Sequence, residues 1–134
     1  MATTTAAITI TSTDLLSDSL SLSTTSTLTK AGGAVGLDQT SGLGRKTTTS
    51  TSAYVLFDGT DYTVDKAHKL YLKNTSTTDS EFFLLTVNAE DIGRIYAGDW
   101  ALIPWSAHDN DCDIKITPSV STTMTLEYML IFEA

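Results

Sequence analysis

Apolar and polar residues alternate with a period of two along much of this chain, the spacing that places successive side chains on opposite faces of a β-strand. The last segment is the clearest case. Met124, Leu126, Tyr128, Leu130 and Phe132 fall on one face, with Thr125 and Glu127 on the other. Burying those five side chains contributes about 8–15 kcal/mol gross, at roughly 1.5–3 kcal/mol each. The polar face then turns apolar at Met129 and Ile131, so a loop, the N-terminal segment or a second subunit must cover it there. Phe82-Phe83-Leu84-Leu85 carries the same sign of burial on both faces.

Upstream, short strands succeed one another with turn signals between them. Tyr54-Val55-Leu56-Phe57 ends at Asp58-Gly59, a hairpin dipeptide. Lys69–Lys73 stops at Asn74 and a Ser/Thr turn, Glu81–Val87 follows, and Ile92–Tyr96 leads through Ala97-Gly98-Asp99 into Trp100–Trp105. Ile114 and Ile116 alternate across a strand that stops at Pro118, which has no N–H to continue a ladder. Helical spacing is nowhere sustained; Leu15-Leu16 after Thr13-Asp14 permits one short turn at most. The pattern predicts an all-β domain, an antiparallel β-sandwich of jelly-roll type or a β-barrel.

The first 53 residues differ. All eleven aromatic residues lie between Tyr54 and Phe132, and large apolar residues before them are thinly spaced: Ile8, Ile10, Leu15, Leu16, Leu20, Leu22, Leu28. Such a segment cannot bury enough apolar surface to offset its own ordering entropy, about 1–2 kcal/mol per residue for the backbone alone. Yet residues 7–11 and 19–23 alternate as half-buried strands do. Residues 1–30 are therefore either edge strands of the sandwich or an extended Ser/Thr-rich arm that pairs with a neighbouring subunit by strand addition. Residues 31–52 form a Gly/Thr-rich loop and connecting strand, and residues 53–134 the sandwich core.

Composition narrows the function. A net charge of −8, with eight basic residues scattered and only Arg45-Lys46 adjacent, excludes the clustered cations that nucleic acid requires, and an acidic surface is repelled by anionic lipid. No apolar run approaches the roughly 18 residues needed to span a membrane, and Met1 is followed by no basic n-region or apolar h-region. The expectation is a protein made and folded in a cytoplasm, where the Asn74-Thr75-Ser76 sequon carries no weight. The single cysteine, Cys112, excludes an internal disulfide.

Chemistry-bearing motifs are sparse, and the expectation is a binding or structural domain and not an enzyme, without metal or cofactor. His68 lies beside an alternating strand and His108 in a polar loop, both reading as solvated or hydrogen-bonded loop-end histidines. Asp109, Asp111 and Asp113 share the first spacings of a calcium loop, but Ile114 stands where the turn needs Gly and Val120 where a bidentate Glu is needed. Gly44-Arg45-Lys46-Thr47 fails as a phosphate loop, since Gln39 occupies the position of the first Gly and no helix follows. Tyr96, Trp100 and Trp105 suggest either a sugar-stacking platform or, given Leu102, Ile103 and Pro104 between them, a buried corner or protein interface.

Three segments taken in order carry a resemblance: Leu70-Tyr71-Leu72-Lys73-Asn74-Thr75-Ser76, then Ile92–Trp100 with Ile103-Pro104-Trp105, then Asp113–Phe132. Over residues 65–134 the chain resembles small virion proteins of marine tailed bacteriophages, of the capsid decoration or cement kind. The resemblance implies a β-sandwich or barrel that binds the major capsid protein lattice on the outer surface of the virion, commonly as a homotrimer. On that reading Ile8, Ile10, Leu15, Leu16, Tyr96, Trp100, Ile103, Trp105, Met129 and Ile131 are the expected subunit or capsid contacts. A tail- or fibre-associated component and a carbohydrate-binding module are the alternatives.

Overall fold

The computed structural model describes residues 3–15, 19–107 and 112–134. Eleven strands and one short 3-10 turn account for the regular structure: β1 Thr5–Ser12, β2 Leu20–Thr27, β3 Gln39–Thr40, β4 Gly44–Thr48, β5 Tyr54–Phe57, β6 His68–Asn74, β7 Phe82–Val87, β8 Glu90–Tyr96, β9 Trp100–Trp105, β10 Ile114–Pro118 and β11 Met124–Phe132.

Strands β4 to β11 pair as a nested series: β4 with β11, β5 with β10, β6 with β9 and β7 with β8, all antiparallel. Two further pairings, β11 with β6 and β10 with β7, join them into two four-stranded layers ordered β4-β11-β6-β9 and β5-β10-β7-β8. A long antiparallel ribbon rolled so that its successive strand pairs alternate between two sheets is a jelly roll. The short β3 adds to β11 beside β4, with Thr40 opposite Ile131.

The core lies where the inward faces of the two sheets meet. Leu70, Leu72, Met124, Leu126 and Leu130 come from one sheet, and Phe83, Leu85, Ile95, Ile114 and Ile116 from the other. Most are fully buried, as the period-two pattern requires. Phe57 and Trp105 extend the core, and Tyr128 and Phe132 complete the β11 face as half-buried neighbours.

Local departures from the sequence pattern have identifiable causes. Asp58-Gly59 makes no hairpin, because β5 pairs across the roll with β10 and not with β6. The Asp58 carboxylate instead accepts from the Thr60 N–H at 2.9 Å and caps the turn Gly59–Asp61. The tightest hairpin is the two-residue connection Asn88-Ala89 between β7 and β8, where both residues have positive φ, 51° and 61°. Both are positions that a type I′ turn demands.

The N-terminal alternating segments pair with each other. β1 and β2 form an eight-residue antiparallel hairpin, Thr5 opposite Thr27 through Ser12 opposite Leu20, and this hairpin hydrogen-bonds to neither core sheet. Its base is fixed where Leu28 N–H donates to the Thr4 carbonyl at 2.8 Å and Leu37 N–H to the Leu28 carbonyl at 2.7 Å. Leu28 and Leu37 are both buried, so the hairpin stands on an apolar foot.

Candidate partner-binding site

Strand β9 closes one end of its sheet, leaving its other edge unpaired, and β1 is paired only to β2. The register with β6 sets the direction of each β9 side chain. Ala101, Ile103 and Trp105 oppose the buried Leu72, Leu70 and His68 and point inward, whereas Trp100, Leu102 and Pro104 point out. The outward row is apolar where an exposed strand face is ordinarily polar, and Trp100 is 56% exposed. On the hairpin, Ile10 lies opposite Leu22 on one face, each 47% exposed.

Between the two elements runs a groove lined by Ala7, Ile8, Thr9, Ile10, Trp100, Ala101, Leu102 and Ile103. Among the described residues no charged side chain borders it, in a chain of net charge −8. Four of the expected contact residues, Ile8, Ile10, Trp100 and Ile103, thus come together although some ninety residues separate them in sequence.

The others lie elsewhere. Leu15, 69% exposed, lies beyond β1 toward the hairpin tip, and Leu16 lies outside the described residues. Tyr96 belongs to the outer face of the other sheet, its ring 5.3 Å from that of Phe82, with Arg94 stacked 4.5 Å over the Phe82 ring. Met129 and Ile131 are half-buried and line one concave pocket together with Thr4 and the segment Leu37–Thr40 of this chain.

Trp105 is a correction to its reading as a surface contact. It is 6% exposed, faces the core, and donates from Nε1 to the Cys112 carbonyl at 3.2 Å. With Trp105 inside, Trp100 on the outer face of one sheet and Tyr96 on the outer face of the other, the three rings share no stacking surface.

Of the two readings of His68, solvated or hydrogen-bonded, the structure has the second: the ring is fully buried and packs among Tyr62, Trp105 and Phe132 with ring centroids 5.6, 5.1 and 6.2 Å away. Its Nδ1 accepts the Glu133 N–H at 3.3 Å. Burial pushes its pKa below the usual histidine value, partly countered by the nearby Glu133 carboxylate. That carboxylate is itself held below its usual range, first by the Ala31 N–H at 3.0 Å and then by the Ala67 N–H and Lys66. Together the two side chains tie the ends of β6 and β11 to the loop beneath the hairpin. Sequence reasoning missed this knot, because Glu133 is a single acid with no pattern around it.

His108, Asp109 and Asp111 lie outside the described residues. Asp113 is occupied structurally, accepting the Gly59 N–H at 2.9 Å and pairing with Lys115 at 3.2 Å. Among the described residues no group of three or more His, Cys, Asp or Glu side chains is placed to hold a metal ion, and no helix is long and apolar enough to cross a membrane. The chain matches no protein-family model, no curated protein sequence and no solved structure.

Proposed function

We propose that this chain is a virion structural protein, a capsid decoration or cement protein that binds the major capsid protein lattice and reinforces the shell. The observation that carries the reading is the N-terminal hairpin. Its two strands have no charge, proline or bulge, the devices by which exposed strand edges are kept from pairing. Three edges of the jelly roll do have them: β8 carries Glu90, Asp91, Arg94 and a register shift, β4 carries Arg45 and Lys46, and β5 has four residues, whereas β9 is interrupted only by Pro104 near its end. An edge left open on a projecting hairpin suits a domain that links to neighbours through backbone hydrogen bonds.

The likeness of residues 65–134 to decoration proteins supplies the identity of the neighbour. The acidic composition suits solubility at high copy number. On this reading the protein acts as a homotrimer on the outer capsid surface, with hairpin residues Ile8 and Ile10 and the exposed Trp100 near the contacts.

Adding purified protein to capsids that lack it tests the reading. Hundreds of copies per particle are expected, with capsids surviving higher temperature, and a chain lacking residues 2–27 should stay folded and fail to bind. A stoichiometry of a few copies points instead to a tail or fibre component. Full occupancy by the shortened chain removes the role of the hairpin.

A further inference from the structure

We infer that the gap between β1 and β9 is a receptor slot for one extended, uncharged strand of another polypeptide. Each bordering strand contributes four consecutive residues to the gap, Ala7–Ile10 from β1 and Trp100–Ile103 from β9. Consecutive residues alternate between the two faces of a strand, so a space bordered by four in a row runs along the strand's edge and not over one face. That is the arrangement of edge facing edge. Both strands have an unpaired edge, and they do not hydrogen-bond to each other.

A strand seated there would stand about 4.8 Å from each neighbour and join the hairpin to the sheet β4-β11-β6-β9. Its backbone would satisfy donors and acceptors on both sides, where addition to a single edge satisfies only one side. The slot ends at Pro104, which has no N–H to offer and marks the limit of pairing on β9.

The lining decides what enters. Ile8, Ile10, Trp100, Leu102 and Ile103 are apolar and no lining residue is charged, so a charged side chain would be desolvated there without a partner. The occupant is therefore an uncharged segment with apolar residues at alternate positions.

None of the described strands of a second copy fits. Every strand among the described residues already pairs on at least one edge, whereas the slot requires a strand with both edges free. This inference is independent of the capsid reading, since it concerns the kind of segment bound and not the particle that carries it.

The probe is a capped seven-residue peptide of alternating Thr and Val, added to the full chain. Amide hydrogen exchange over residues 7–10 and 100–103 should slow at least tenfold at saturation, and Trp100 emission should shift to the blue. The same peptide methylated on its backbone nitrogens should not bind, and Thr9→Lys, at an exposed position remote from the core, should weaken binding at least tenfold. Protection on one strand only, none at millimolar peptide, or equal binding of the methylated peptide would overturn the slot. So would a dimer, formed without peptide and broken by Thr9→Lys, because a second copy would then be the occupant.

Discussion

The backbone N–H of Glu133 donates to Nδ1 of His68 across 3.3 Å, which fixes the proton of this fully buried ring on Nε2. Nε2 finds no hydrogen-bond acceptor among the described residues. Protonating the ring would forfeit the bond to Glu133 and place a cation among Tyr62, Trp105 and Phe132. The ionisable groups that bear on it are Glu133, Lys69 and the Tyr62 phenol, with Lys66 paired to Glu133.

Stability should therefore fall in acid. The His68 pKa is lowered from 6.5 by burial, so the unfolded chain binds the proton more readily than the folded one. Stability from this group is complete above the unfolded value and is lost as pH drops below 6.5 toward the folded pKa. Glu133, lowered from 4.5, adds a second loss as pH falls further through its own folded value. Urea midpoints measured between pH 7.5 and 5 should decline, and His68→Gln should flatten that decline while lowering the midpoint at pH 7.5. An unchanged slope in the variant would place the effect elsewhere.

Asn74 is buried at the end of β6, and its Nδ2 donates to the carbonyls of Glu81 at 3.3 Å and Ile95 at 3.1 Å. Its Oδ1 accepts the Ser76 N–H at 3.0 Å. One side chain thus joins β6 to the start of β7 and the end of β8. Asn74→Ala should cost about 2–4 kcal/mol, since it removes three hydrogen bonds made by a fully buried side chain. Asn74→Asp should cost at least as much, because it sets a carboxylate oxygen against two carbonyl oxygens. Denaturant unfolding at neutral pH measures both. It also follows that the sequon asparagine is spoken for structurally.

What the sequence disclosed, and what it hid, follows the range of the interactions involved. The inward row Met124, Leu126 and Leu130, the stop at Pro118 and the turn at Gly98 are local signals, and the structure has each of them. The apolar character of Met129 and Ile131 on the second face was legible, but not that Thr4 and Leu37–Thr40 would border the same pocket. Trp105 and Trp100 look alike in sequence; only the register with β6 sends one inward and the other out. The groove joins residues 7–10 to residues 100–103, a juxtaposition set by the whole roll and the foot at Leu28 and Leu37, which no periodicity encodes.

Gly44 lies directly under the ring of Tyr128, its cross-strand partner. A Cβ at Gly44 would come within 2.9 Å of the Tyr128 Cζ atom. Glycine is needed here for close approach. Gly44→Ala should destabilise by about 1–3 kcal/mol as the half-buried ring is displaced. Combining it with Tyr128→Val should cost less than the sum of the two single changes, because the atoms that clash are gone. A double-mutant cycle on unfolding free energies reads the coupling, and strict additivity would show that the ring moves aside freely.

The turn between β7 and β8 offers a gain in place of a loss. Asn88 and Ala89 both adopt left-handed backbone conformations, at φ 51° and 61°. Asparagine tolerates that region, whereas the alanine Cβ crowds the backbone at a cost of roughly 1–2 kcal/mol. Glycine at the second position removes the crowding and gives Asn-Gly, the preferred pair for a two-residue hairpin. Part of the gain is offset by the larger conformational freedom of glycine in the unfolded chain, worth about 0.4–1 kcal/mol. Ala89→Gly should therefore raise stability by up to about 1 kcal/mol, with the denaturant slope unchanged because the exposed area is the same. The control is Ala89→Val, whose branched side chain is harder still to fit at positive φ and should lower the unfolding midpoint. If glycine lowers the midpoint as valine does, the turn does not hold its left-handed geometry in solution.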